Sequence, residues 1–164
     1  MFSKLGISGS LIVTGALASI CATAQATNIN TSGVVCQNFN ASQALDIDYL
    51  TNSVRNINAA ARPVICSIPR SPVAAGSIPE FFADGHNAPG TCTSCTLTLY
   101  HFGGAIAASQ SFTNCAPATA VLDWDQFVTF PTEPAGVDTF DYASLLCTLP
   151  GSGNGLVYGA TAVQ

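Results

Sequence analysis

Two carboxylates, Asp123 and Asp125, flank a tryptophan in Asp123-Trp124-Asp125, and their spacing puts both on one face of an extended segment. Along a strand such a pair stands about 6.5–7 Å apart. That separation suits a Ca²⁺ site built from hard oxygen ligands, or the acid/base pair of a carbohydrate-directed hydrolase. The plainer reading has both carboxylates solvating an outer face while Trp124 fills the core. It is the preferred one: no cofactor is expected, with calcium at Asp123 and Asp125 as the alternative.

A second cluster is Glu80-Phe81-Phe82-Ala83-Asp84-Gly85-His86-Asn87. Adjacent aromatics in a loop can stack on sugar rings or plug into a partner, and Asp-Gly-His can supply metal ligands. Phe81, Phe82, Asp84 and His86 are therefore the candidate binding residues. The competing reading tucks one Phe into the core edge and makes Asp84-Gly85 a turn. His101 follows Leu97 and Leu99 on one strand face and reads as a strand-end residue rather than a base. No Gly-x-Ser-x-Gly elbow supports serine hydrolysis. Gly151-Ser152-Gly153-Asn154-Gly155 lacks the lysine and following helix of a phosphate loop, so it reads as a turn. The sequons at Asn30 and Asn40 matter only in a eukaryotic secretory host.

Seven cysteines punctuate the chain. Cys92-Thr93-Ser94-Cys95 has the spacing of a redox or zinc pair. Zinc wants about four ligands, and His86 and His101 do not fall at a finger-like interval. A redox motif would open a helix, whereas this one runs into the alternation Thr96-Leu97-Thr98-Leu99. Structural disulfides are the better reading. In an extended segment residues i and i+3 point to opposite faces, so Cys92 and Cys95 should have different partners.

The amino-terminal residues explain why those cysteines oxidise. A short region with one positive charge, Lys4, precedes an apolar run from Leu5 to Cys21. Small residues follow at Ala22-Thr23-Ala24 and Ala24-Gln25-Ala26. This is the pattern of a cleaved signal peptide over residues 1–26. Its Gly, Ser and Thr content argues against a retained transmembrane helix, and Ile20 before Cys21 argues against lipoprotein anchoring. Residues 27–164 then form one domain, secreted or periplasmic, with six cysteines for three bridges.

Composition narrows the partners. The whole chain carries a net charge of −5 with only 8% charged residues and 48% hydrophobic ones. Its only lysine leaves with the signal. No basic face remains for nucleic acid or for anionic lipid headgroups, so neither nucleic acid nor membrane is a partner of the mature domain. A glycan or another cell-envelope component is the partner class left open.

Periodicity of two sets the fold class. Thr96–Tyr100 alternates as a half-buried strand, Gly103-Gly104 marks a hairpin, and Ala105 to Phe112 returns. Leu122, Trp124, Gln126, Val128 and Phe130 line one face of a further strand, and Val121, Asp123, Asp125 and Phe127 the other. Residues 131–136 break it. Residues 142–149 and 156–163 supply two more strands around the Gly-rich turn. Residues 44–57 fit either helix or strand and are assigned to strand, because Asn and Thr dominate the flanks. Residues 71–90, with three prolines and three glycines, read as a long irregular loop. The sum is all-β: a small antiparallel β-sandwich, jelly-roll-like or Ig-like.

Several short pieces carry a resemblance: Gly33-Val34-Val35-Cys36, Val54-Arg55-Asn56, Arg62 to Arg70 with Cys66-Ser67-Ile68-Pro69-Arg70, Ser94-Cys95-Thr96-Leu97, and Leu146-Cys147-Thr148-Leu149-Pro150-Gly151. Together they resemble a group of short secreted bacterial cysteine-containing β proteins with no assigned activity. The resemblance implies export and a β-rich fold and nothing about catalysis. Cys92 and Cys115 are additional to that group's pattern, which implies that they pair with each other. Cys36–Cys66 and Cys95–Cys147 are then the remaining bridges. The function expected is a disulfide-stapled binding or surface-structural protein. A small extracellular hydrolase using Asp123 and Asp125, with His86 or His101, is the alternative.

Overall fold

Alternating apolar and polar residues build nearly every element. The computed structural model describes residues 28–69, 79–101, 103–130 and 142–163. Among them the strands are β1 (Ile29–Ser32), β2 (Gln37–Asn38), β3 (Ile47–Tyr49), β4 (Val54–Asn56), β5 (Arg62–Ile68) and β6 (Glu80–Asn87). They continue with β7 (Cys92–Tyr100), β8 (Ile106–Cys115), β9 (Leu122–Thr129), β10 (Tyr142–Leu149) and β11 (Gly155–Val163). Short 3₁₀ turns occupy Gly33–Val35 and Ala41–Asp46.

Two antiparallel sheets result. A six-stranded sheet runs β3-β4-β11-β6-β9, with β1 also paired to β11, and a five-stranded sheet runs β2-β5-β10-β7-β8. From β4 onward the chain changes sheet at every connection except the β7–β8 hairpin, the crossing habit of a jelly roll rather than of an Ig-like domain. The expected sandwich is the one observed.

The inward faces interlock as the alternation requires. Val64, Ile68, Leu97, Leu99, Leu145 and Leu149 from one sheet meet Phe81, Trp124, Val128 and Val157 from the other, all buried. Each fully buried aliphatic or aromatic side chain contributes roughly 1.5–3 kcal/mol. Trp124 lies over Gly85, its cross-strand partner, and a Cβ on Gly85 would collide with the indole. Gly85 is therefore a strand glycine that makes room for a ring, not half of a turn.

Cysteine pairing follows the register. Cys95–Cys147 and Cys92–Cys115 join residues that sit directly opposite each other in the ladders. Cys36 precedes Gln37, which pairs with Ile65, so Cys36 falls beside Cys66 and bonds to it. All three bridges have the partners expected, and Cys92 and Cys95 do have different ones. Each lies within the five-stranded sheet, and none ties the two sheets together.

Two sequence expectations need correction. Residues 71–90 are not one irregular loop: Glu80–Asn87 is β6, paired on both sides with β11 and β9. The prolines and glycines misled, because Gly85 is present for packing, and the tight turn is confined to Ala88–Thr91, where Gly90 has φ +71°. Residues 70–78 lie outside the described residues. Residues 44–57 are only partly strand: Ala41–Asp46 is 3₁₀, with β3 and β4 after it. Asn40 caps that segment through a backbone bond from Gln43, which leaves Leu45 in solvent. The signal peptide and the break at residues 131–136 also lie outside the described residues.

Candidate functional site

Outward positions of β6 and β9 gather most of the residues singled out by sequence. Along β6 they are Glu80, Phe82, Asp84 and His86; along β9, Asp123, Asp125, Phe127 and Thr129. The antiparallel register sets them opposite one another: His86 with Asp123, Asp84 with Asp125, and Phe82 with Phe127. Strands that read separately as a loop and a lone carboxylate pair form a single outer surface of the six-stranded sheet.

Each cross-strand pair has its own chemistry. His86 Nδ1 lies 2.7 Å from Asp123 Oδ1. Further along the same cross-strand row, beyond Leu156, Arg55 and Asp48 are bonded at 2.7 Å. Asp84 and Asp125 are like charges directly opposite, an arrangement that destabilises an antiparallel pair. Burial pushes the Asp84 carboxyl above the usual range, and the negative charge of Asp125 and a hydrogen bond to it push further the same way. Phe82 and Phe127 pack with ring centroids 4.9 Å apart, and Phe127 is 43% exposed, so the pair makes a shelf open to solvent.

Beside the shelf, toward β1, runs a cleft of about 560 Å³ lined by Asn30, Ser32, Asn52, Asp84, Tyr158 and Thr161. Tyr158 reaches it as the outward member of the β11 alternation, one residue past the buried Val157, at the point where the β11–β6 register slips by a bulge. Thr161 donates to Asn30 Oδ1 at 2.8 Å across the β1–β11 pair. Phe82 stands opposite Thr161 in the β6–β11 ladder and next to Asp84 on the outward face of β6, so the shelf borders the cleft and the two make a groove that crosses the strands.

Of the sequence candidates, Phe82, Asp84, His86, Asp123 and Asp125 converge here. Phe81 does not. It is 2% exposed and packs edge-to-face on Phe130 at 6.3 Å, because it is the inward member of the β6 alternation. His101 lies just past the end of β7, where its N–H bonds to Ala105 and its carbonyl accepts from Gly104 in the hairpin turn. Among the described residues no group of three or more His, Cys, Asp or Glu is placed to hold a metal ion. Asp123 and Asp125 instead engage His86 and Asp84. Sequence reading missed Phe127, Tyr158, Asn30 and Thr161 as site residues. Both had a signal: Phe127 is an aromatic on the otherwise acidic face of β9, and Tyr158 alternates with the buried Val157 along β11.

No family model and no curated protein matches this sequence. Among solved structures the chain is similar to the xylan-binding module CBM15, at 9% identity and a TM-score of 0.53, over 84% of this chain and 96% of that one. It is also similar to a family 35 carbohydrate binding module from Clostridium thermocellum, at 11% identity and a TM-score of 0.46, over 83% and 97% of the two chains. TmCBM61, solved with β-1,4-galactotriose, gives 10% identity and a TM-score of 0.44, over 85% and 88%. Identity this low speaks to architecture alone. The chain has the antiparallel β-sandwich fold of the xylan-binding module.

Proposed function

We propose that this is an exported glycan-binding protein whose site is the groove across the six-stranded sheet. The observation that carries the reading is the convergence on one outer surface of an exposed aromatic shelf, Phe82–Phe127, with a row of hydrogen-bonding acids and amides. Pyranose rings present apolar C–H faces that stack on aromatics, while their hydroxyls donate to carboxylates and pair with amides. The shelf, Asp84, Asp125, Asn30 and Thr161 supply both kinds of contact along one line. Sharing its fold with a xylan-binding module supports the same reading. Acidic walls favour neutral or amino sugars over uronic acids. The three disulfides fit an oxidising, extracytoplasmic setting.

A binding role fits the carboxylates better than hydrolysis. Retaining and inverting glycosidases hold their two carboxyl groups about 5–5.5 Å or 6.5–9.5 Å apart to leave room for sugar or water. Asp84 and Asp125 stand directly opposite each other in the β6–β9 ladder, where two like charges face one another. Asp123 is held by His86. Affinity electrophoresis in soluble xylan, galactomannan and mixed-linkage β-glucan tests the proposal. Retardation in at least one gel, weakened in Phe127→Ala and unaccompanied by reducing-sugar release, is the expected result. Unretarded migration in all three, or retardation unchanged in Phe127→Ala, would defeat it.

A further inference from the structure

The opposite outer face differs in charge. No acidic or basic side chain among the described residues projects from the outside of the five-stranded sheet, while acids and their partners crowd the outside of the other. Between β7 and β8 this face carries three cross-strand hydroxyl pairs: Ser94–Thr113 at 2.9 Å, Thr96–Ser111 at 2.8 Å and Thr98–Ser109 at 3.4 Å. Those hydroxyls satisfy one another. One strand further on, Ser67 and Ser144 sit opposite each other in the β5–β10 ladder and form no such pair. They line a cleft of about 280 Å³ together with Val35, Gln37, Ile65 and Tyr142.

Tyr142 gives that cleft an aromatic wall. Its ring is 45% exposed and stacks on Tyr100, its cross-strand partner on β7, with centroids 5.0 Å apart and planes 12° from parallel. Tyr100 supports the ring from the β7 side, so the other ring face is turned toward β5 and the cleft. A propped tyrosine loses little freedom when something stacks on it, which keeps the entropic penalty of binding small. Around it stand two hydroxyls, one primary amide and two aliphatic side chains, with no charged side chain among the described residues. This set complements a neutral polyhydroxylated ring and rejects charged ligands, which would enter an uncharged cleft without a counter-ion.

We propose that this cleft is a second carbohydrate site, selective for a neutral hexopyranose chain. It lies on the outside of one sheet while the groove lies on the outside of the other. On the reading that the groove also binds glycan, the protein then has two sites on opposite faces and joins separate polysaccharide chains, gaining avidity from the polymer.

Affinity electrophoresis in the same three neutral polysaccharides, with wild type, Phe127→Ala, Tyr142→Ala and the double variant, separates the two sites. Each single variant should weaken retardation roughly five- to tenfold, the scale of one lost aromatic contact, and the double variant should migrate freely. Tyr142→Phe should bind as wild type does, since the stacked ring remains. Should Tyr142→Ala fold poorly by circular dichroism, Ser67→Lys, a change at an exposed position, reads the same cleft by placing a charge in it. Wild type alone should raise light scattering when mixed with long-chain polysaccharide. Unchanged retardation in Tyr142→Ala and Ser67→Lys overturns the second site while leaving the groove standing. The converse, full loss in Tyr142→Ala with Phe127→Ala unaffected, overturns the groove and keeps this cleft. Free migration of wild type in every gel overturns both.

Discussion

Phe81 and Phe82 are neighbours in sequence with opposite surroundings, and substituting them should separate stability from binding. Phe81→Ala removes a buried ring that meets Phe130, so it should lower the unfolding free energy by roughly 3–5 kcal/mol in urea titration. Phe127→Ala, at the exposed end of the shelf, should lower it by no more than about 1 kcal/mol while weakening glycan retention. The acids make a prediction with a sign. The folded-state value for Asp84 is raised, so its contribution to stability is complete below the ordinary Asp range near about 3.9 and is lost as pH climbs through the raised value. Asp125→Asn removes the repulsion and keeps a hydrogen-bonding group. It should raise the melting temperature at pH 7 and leave it nearly unchanged at pH 3. Asp46 acts in the opposite sense: hydrogen bonds from Arg62 and Asn58 hold its carboxyl below the usual range, so its contribution is present at neutral pH and lost on acidification.

At the scale of elements, a few small or polar residues decide where strands end and how they lie. Asn56, fully buried, donates to the carbonyls of Ala60, Leu149 and Pro150 and accepts from the backbone N–H of Asn58. It ties the end of β4 to the turn between β10 and β11. Asn56→Ala leaves several buried backbone groups without a partner, and chemical denaturation should show a loss of roughly 2–4 kcal/mol. Asn87 plays a related part between the sheets, accepting from Thr93 at 2.6 Å and donating to the carbonyl of Asn114 at 2.8 Å. Neither role was legible beforehand, because a buried asparagine and a turn asparagine look alike in sequence. Gly85 was misread for a similar reason: glycine signals a turn or a close approach, and only the indole of Trp124 opposite it shows which.

Across the whole molecule, covalent staples are confined to one of the two sheets. Cys36–Cys66 closes a loop of 30 residues and anchors the short edge strand β2 to β5. Replacing both cysteines by serine should reduce stability by roughly 3–4 kcal/mol on the chain-entropy account, seen as a large fall in melting temperature under non-reducing conditions. With no bridge between the sheets, their association rests on packing of the shared core and on contacts such as Asn87 with Thr93. The outer faces are consequently free to differ, one acidic and grooved, the other hydroxylated and without charge among the described residues.

Alternation alone was enough to set the all-β class, the facing of β7 and β9, and the core placement of Trp124. A strand's two faces are written directly in residue parity. Opposite facing also dictated different partners for Cys92 and Cys95. What the sequence left undecided was adjacency. Nothing local says that β6 lies between β11 and β9, since strand order arises from contacts between residues far apart in the chain. That order alone places Asp84 against Asp125, His86 against Asp123 and Phe82 against Phe127, turning two unrelated motifs into one surface. The bulge at Tyr158 and the stacking of Tyr142 on Tyr100 belong to the same class of fact. Both depend on how neighbouring strands are registered, and register is decided by the packed core as a whole.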